Sequence, residues 1–402
     1  MNHTFIKKQE IRTLKQFYNL MAMTRAVRYK LVENIFAGLS IDRNLIESLK
    51  NALFSLEEIS SDNGLKLLYI DDSKKIDARL IYEISELGKD IFFLENTEKE
   101  FIKHLEKLHK GFRKQVEEGV KKLQSLKFNC FITDRDGTIN NYCGRYCSSV
   151  QSVYNSVFLT RFAREKTINS IIITSAPLSG PGILDVCVNP DKTFIYAASK
   201  GRECIDLSGE RKIYPIEEKK QELLNNLNKR LLKLVKEPVF EKFSMIGSGL
   251  QFKFGQTTVA RQNIRKSIPE PESEEFLEKI RQIVQEIDPG QENFRIEDTG
   301  LDIEIILTIE DSLSGAKDFD KADAVKYLDD ALDLNMKQGP HLICGDTSSD
   351  VLLIEAAMEK TSDTWTVFVT KDRALSTKVK DTCKNSLIVT EPDILVTILG
   401  LL

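Results

Sequence analysis

Histidine is scarce in this chain, with four among 402 residues, at His3, His104, His109 and His341. That shortage argues against a His-dependent nucleophilic triad and a His-ligated zinc site. Cysteine does not fill the gap. The seven cysteines are scattered except for Cys143 and Cys147, whose spacing fits no standard zinc pair and has no second pair to complete it. They read as reduced thiols. No apolar run reaches the roughly 20 residues of a membrane span, and the start, MNHTFIKKQEIRTLKQ, lacks the apolar centre of a signal peptide. A soluble, cytoplasmic protein is expected. A net charge of −4 gives no overall basic footprint for nucleic acid. Whatever chemistry exists must run on carboxylates.

A chain of 402 residues exceeds the usual single domain, so two or three units are expected. Residues 1–125 read as a helical accessory domain. Apolar residues recur at helical spacing through Ile11, Leu14, Phe17, Tyr18 and Met21, then through Val27, Leu31, Ile35 and Phe36. Thr97 and Glu100 form a capping-box pattern ahead of one long apolar stripe from Phe101 through Leu105, Leu108, Phe112, Val116 and Val120 to Leu123. That stripe suits an internal bundle or a coiled coil for self-association or a protein partner. Residues 126–215 and 319–402 alternate short apolar strands with helices, the pattern of a parallel α/β sheet. Between them, 216–318 read as an inserted α+β unit.

Chemistry gathers in four places. The strand FITDRDGTIN runs into Asp134 and Asp136, two carboxylates where ligands bind in open α/β sheets. One such acid can attack phosphorus while the other protonates the leaving oxygen and later activates water, and Gly137 permits the turn that follows. A second strand, NSIIITSAP, ends at Thr174 and Ser175, hydroxyls able to bond a phosphoryl oxygen. In FDKADAVKYL, Lys321 starts a helix and offers a cation for carboxylate and phosphate alike. LICGDTSSDVLLIEAA then supplies Asp346 and Asp350, hard oxygen ligands suited to magnesium.

In order and context, DRDGT, ITS, DK and GDTSSD resemble the four motifs of the haloacid dehalogenase superfamily over roughly residues 127–402. The resemblance implies an α/β fold: a Rossmann-like parallel-sheet core with an inserted α+β cap and an N-terminal helical domain. It also implies Asp134 as nucleophile, Asp136 as acid/base, Ser175 (or else Thr174) as the phosphate-binding hydroxyl and Lys321 as the stabilising cation. Mg2+ would be held by Asp134, the main-chain carbonyl of Asp136, and Asp346, with Asp350 completing the acidic loop.

The position of the insertion, between the hydroxyl and lysine motifs, resembles the trehalose-6-phosphate phosphatase group. AASKGRECIDLSGER and TGLDIEI resemble that group's segments flanking the cap, and the helical N-terminus resembles nematode enzymes of the group. Hydrolysis of trehalose 6-phosphate is the implied reaction, with Thr138 and Glu304 as substrate-side candidates. Arg261, Lys253 and Gln251 lie near the cap strands with nothing to distinguish them from surface residues. The alternatives are a phosphatase of another sugar phosphate, a sugar phosphomutase and a catalytically inactive binding scaffold. Arg135 between the acids, INNYCGRYCSSV after them, and a metal loop with no further acidic pair depart from the usual family pattern.

Overall fold

The computed structural model describes residues 5–62, 65–70, 75–311 and 315–402. The β-branched and aromatic runs beyond residue 126, outside the insertion, form one eight-stranded sheet. Its order is Ser386–Val389, Thr364–Val369, His341–Gly345, Phe128–Asp134, Thr167–Ile173, Ile195–Ala198, Glu203–Ile205, Arg211–Ile213. The strands from Ser386–Val389 to Ile195–Ala198 pair in parallel, and the last two are antiparallel additions.

Alternate residues of a strand face opposite sides of its sheet. Phe131 and Leu342 accordingly enter a core with the helices Val153–Lys166 and Pro392–Gly400. Ile132 and Ile343 enter another with Lys321–Ala331 and Val351–Lys360. Being covered on both faces explains why these strands read as continuous apolar runs rather than as alternation. His341 pairs with Cys130 and Cys344 with Thr133, so the two central strands end side by side. Asp134 and Asp346 are thereby delivered to the same sheet edge.

The insertion folds as a four-stranded antiparallel sheet in the order Phe294–Asp298, Asp302–Leu307, Gln256–Ala260, Leu250–Lys253. The helices Glu218–Leu234 and Glu270–Ile287 bury Leu227, Leu231, Phe276 and Ile280 in the same cluster as Val259, Ile303 and Ile305.

The N-terminal region differs from an all-helical reading. Beside its helices it holds a three-stranded antiparallel sheet of Ser61–Asp62, Leu65–Tyr69 and Lys75–Ala78. The apolar stripe is also two helices, Glu98–Leu108 and Phe112–Leu123, because the chain breaks at Gly111 with φ of 73°. Periodicity missed the break because apolar spacing continues across it.

Nor does the stripe project as a free coiled coil. Phe101 packs against Tyr154 at 4.7 Å between centroids, and a Cβ on Gly119 would lie 2.4 Å from Ile398. The N-terminal helices are tied to the sheet half by buried charge as well. Lys89 reaches Asp393 at 3.0 Å, His109 reaches the same carboxylate at 2.7 Å, and Arg145 pairs with Glu83 at 2.8 Å. Among the described residues, no helix is long and apolar enough to cross a membrane.

Candidate active site

Asp134 is the last residue of its strand and is 8% exposed. The chain then turns back tightly, with the amide of Gly137 donating to the carbonyl of Asn140 at 2.7 Å and that of Asn140 donating to Arg135 at 2.9 Å. Gly137 sits at φ of 94°, and a Cβ there would fall 2.2 Å from Asp346 Oδ2. Glycine is needed both for its conformation and for its lack of a side chain. The turn carries Thr138 into the interior, where its hydroxyl donates to Asp346 Oδ1 at 2.9 Å and lies 3.4 Å from Asp134 Oδ2. Thr138, expected on the substrate side, is fully buried and braces two acids.

The helix Lys321–Ala331 starts with a reciprocal cap, in which Asp320 accepts from the amides of Ala322 and Asp323 while its own amide donates to Asp323. This fixes the first turn and aims Lys321 inward. Its ammonium donates to Asp134 Oδ1 at 2.6 Å and to Asp350 Oδ1. Asp350 spends its other oxygen on the backbone of its own loop, accepting from the amides of Asp346 at 3.1 Å and Thr347 at 2.9 Å. Gly345 leaves room for this, since a Cβ would stand 2.3 Å from that of Asp350.

Asp134, Asp346 and Asp350 each offer a carboxylate oxygen within 4.8 Å of the others. Three acids face one ammonium. Burial pushes the Asp134 carboxyl well above its ordinary value, opposed by Lys321 and reinforced by Asp350 and Asp346. Burial and then Asp350 push Asp346 up to about 7. The cluster thus carries more negative charge than its own cation compensates, the condition a divalent ion relieves.

Asp136 feels the same Lys321 charge but takes its ion pair elsewhere. It pairs with Arg135, whose guanidinium is buried and also donates to Ser149 Oγ at 3.1 Å and to the Ser149 carbonyl. Burial raises the Asp136 carboxyl, with Arg135 the main opposing influence. Arg135 had been legible only as a departure from pattern, because its partners become visible only once the turn folds.

Ser175 is half-buried, and its hydroxyl makes no hydrogen bond among the described residues. Thr174 is buried and accepts from the amide of Ala176 at 3.2 Å. Both follow the strand that pairs Ile173 with Asp134.

On the insertion, Glu304 pairs with Lys200 at 3.6 Å, and Asp302 accepts from Ser248 at 2.9 Å. Lys253 is buried beside Glu304, Lys200 and Asp302, and burial brings its ammonium down to about 8. Lys200 and Lys253 are additions to the sequence-derived set; Lys200 occupies φ of 61° just after a strand, which sequence pattern does not reveal. Arg261 is consumed within the insertion by Asp298, Glu270, Glu274 and Ser273. Tyr142, 65% exposed, has a hydroxyl within electrostatic range of Asp302 on the insertion and of Asp136 and Asp346 on the sheet edge. A separate 570 Å³ cavity lies behind the loop Asn141–Arg145, with Tyr82, Glu86, His109 and Ile264 among its lining residues.

Comparison with known proteins matches residues 131–395 to the family described as trehalose-6-phosphate phosphatase, C-terminal. Residues 13–112 match the trehalose-6-phosphate phosphatase N-terminal helical bundle domain. The UDP-forming alpha,alpha-trehalose-phosphate synthase 2 of Aphelenchoides avenae is 33% identical over 98% of this chain, which spans only 32% of that protein. The trehalose-phosphatase of Brugia malayi is 27% identical over 93% of this chain and 82% of its own length. That of Caenorhabditis elegans is 30% identical over 66% of this chain and 61% of its own length. Since the first match alone spans most of the sheet half and its insertion, and the second most of the N-terminal region, the chain belongs to the trehalose-6-phosphate phosphatase family.

Proposed function

We propose that this chain is a magnesium-dependent phosphatase that hydrolyses trehalose 6-phosphate to trehalose and phosphate through an aspartyl-phosphate at Asp134. The observation that carries the reading is the buried Asp134, hydrogen-bonded at 2.6 Å to Lys321 and clustered with Asp346 and Asp350.

In this reading Asp134 attacks phosphorus, the P–O bond to the sugar breaks, and Asp136 gives its proton to the departing oxygen. Asp136 then takes a proton from water, whose oxygen attacks the phosphoryl group and frees Asp134 and phosphate. Ser175 donates to a phosphoryl oxygen, and Lys321 compensates charge on Asp134 and the phosphoryl group. Thr138 holds Asp346 in place. Magnesium would be held by Asp134, Asp346 and the Asp136 carbonyl, with Asp350 orienting the loop. When bound, it offsets the anionic charge that otherwise keeps a carboxylate and a phosphate apart. Glu304, Lys200 and Lys253 would receive the sugar hydroxyls. Free thiols on all seven cysteines suit a cytoplasmic location.

Phosphate release from a panel of sugar phosphates, with and without magnesium, tests this. Magnesium-dependent turnover of trehalose 6-phosphate, absent in Asp134→Asn, is expected; turnover of a different ester alone would move the substrate, and none at all would overturn the reading. The name of the Aphelenchoides relative supports a second reading, formation of the phosphosugar with release of UDP. UDP release from a UDP-sugar and a sugar phosphate would favour it. Stimulation by glucose 1,6-bisphosphate would instead indicate a phosphomutase.

A further inference from the structure

Tyr82 stands on the first turn of the N-terminal helix Ile81–Glu95, far in sequence from the acids, and is 7% exposed. Its hydroxyl donates to the carbonyl of Val150 at 2.9 Å and accepts from Nδ2 of Asn140 at 3.0 Å. Asn140 is itself buried and closes the turn that carries Asp136. Its carbonyl accepts from Gly137 at 2.7 Å, and it forms an isolated β-bridge with Asp136. Val150 follows Ser149, which anchors the Arg135 guanidinium that pairs with Asp136.

One hydroxyl thus ties together the two segments that aim Asp136. Buried tyrosine hydroxyls find partners as a rule, but here both partners belong to the frame of a single carboxylate. The neighbouring links run in the same direction, since Asn141 donates to Glu86 at 3.0 Å, one turn further along the same helix.

We propose that Tyr82 is a positioning residue through which the N-terminal domain completes the acid/base site, acting on Asp136 by way of Asn140. The proposal rests on the phosphatase reading given above. As Asp134 attacks and the ester P–O bond breaks, the leaving alkoxide needs the Asp136 proton. An aryl leaving group such as nitrophenolate departs without one.

The test is Tyr82→Phe in the full chain, which removes one oxygen and keeps the buried ring. On trehalose 6-phosphate, kcat should fall about tenfold with KM unchanged within about twofold, a part of the ~10²–10⁴ that an acid/base group supplies. The initial burst of nitrophenolate from p-nitrophenyl phosphate should fall far less. Adding Tyr82→Phe to Asp136→Asn should cost nothing further, since the group being positioned is gone.

An unchanged kcat on the sugar ester would overturn the proposal. So would equal losses on both esters accompanied by a lower melting temperature, which mark general loosening. If the unsubstituted protein turned over no phosphate ester at all, the phosphatase reading itself would fall, an outcome separate from both.

Discussion

Lys321 Nζ lies 2.6 Å from Asp134 Oδ1, although 187 positions separate the two residues. The same ammonium reaches Asp350, so one cation sets the spacing of the candidate nucleophile and the acidic loop. Lys321→Met should lower phosphate release by about 10²–10³, the scale for removing a preorganised charge partner. Steady-state kinetics beside circular dichroism would check this; activity retained within a few fold would remove Lys321 from the chemistry.

Gly137→Ala places a methyl group on Asp346 Oδ2 and a side chain at φ of 94°. We expect the magnesium concentration for half-maximal activity to rise and kcat to drop at least about tenfold, because small misplacements of a reacting group cost that much or more. The backbone strain by itself is worth only about 1–3 kcal/mol. A magnesium titration of the variant is the measurement.

Burial holds the Lys253 ammonium at about 8, below its ordinary 10.5. Between those values the unfolded chain binds the proton and the folded chain does not, so stability rises as pH rises through that window. The charge facing the proposed sugar site is lost as the pH passes about 8. KM for trehalose 6-phosphate should therefore climb above about pH 8, and Lys253→Met should flatten both profiles. An unchanged KM profile in that variant would exclude Lys253 from substrate binding.

Removing residues 1–123 should abolish folding and turnover together. It strips Phe101 from Tyr154 and leaves Asp393 without Lys89 and His109. Lys89→Met alone should cost on the order of 3 kcal/mol, since it strands buried acids. Thermal melting of both proteins decides it; a truncated chain with full activity would show the N-terminal helices to be separable after all.

Much of this site was legible in the sequence because each part is announced locally. Asp134 and Asp346 directly follow apolar strands, Lys321 follows a capping aspartate, and glycines mark the close approaches. Sheet type was legible for the same reason: strands covered on both faces need unbroken apolar runs. The break at Gly111 and the small sheet of Ser61–Asp62, Leu65–Tyr69 and Lys75–Ala78 were not, because short or interrupted elements leave little periodic signal.

By itself, then, the sequence determined which chemistry the chain can host: paired carboxylates, a lysine and an acidic loop, in an order that only a parallel α/β core brings to one edge. The tertiary structure decided which side chains serve them. Arg135 against Ser149, Tyr82 against Asn140 across 58 positions, and Lys253 beside Glu304 are consequences of packing. Hydrogen-bond partners distant in the chain are selected by the assembled core, and no local pattern encodes them.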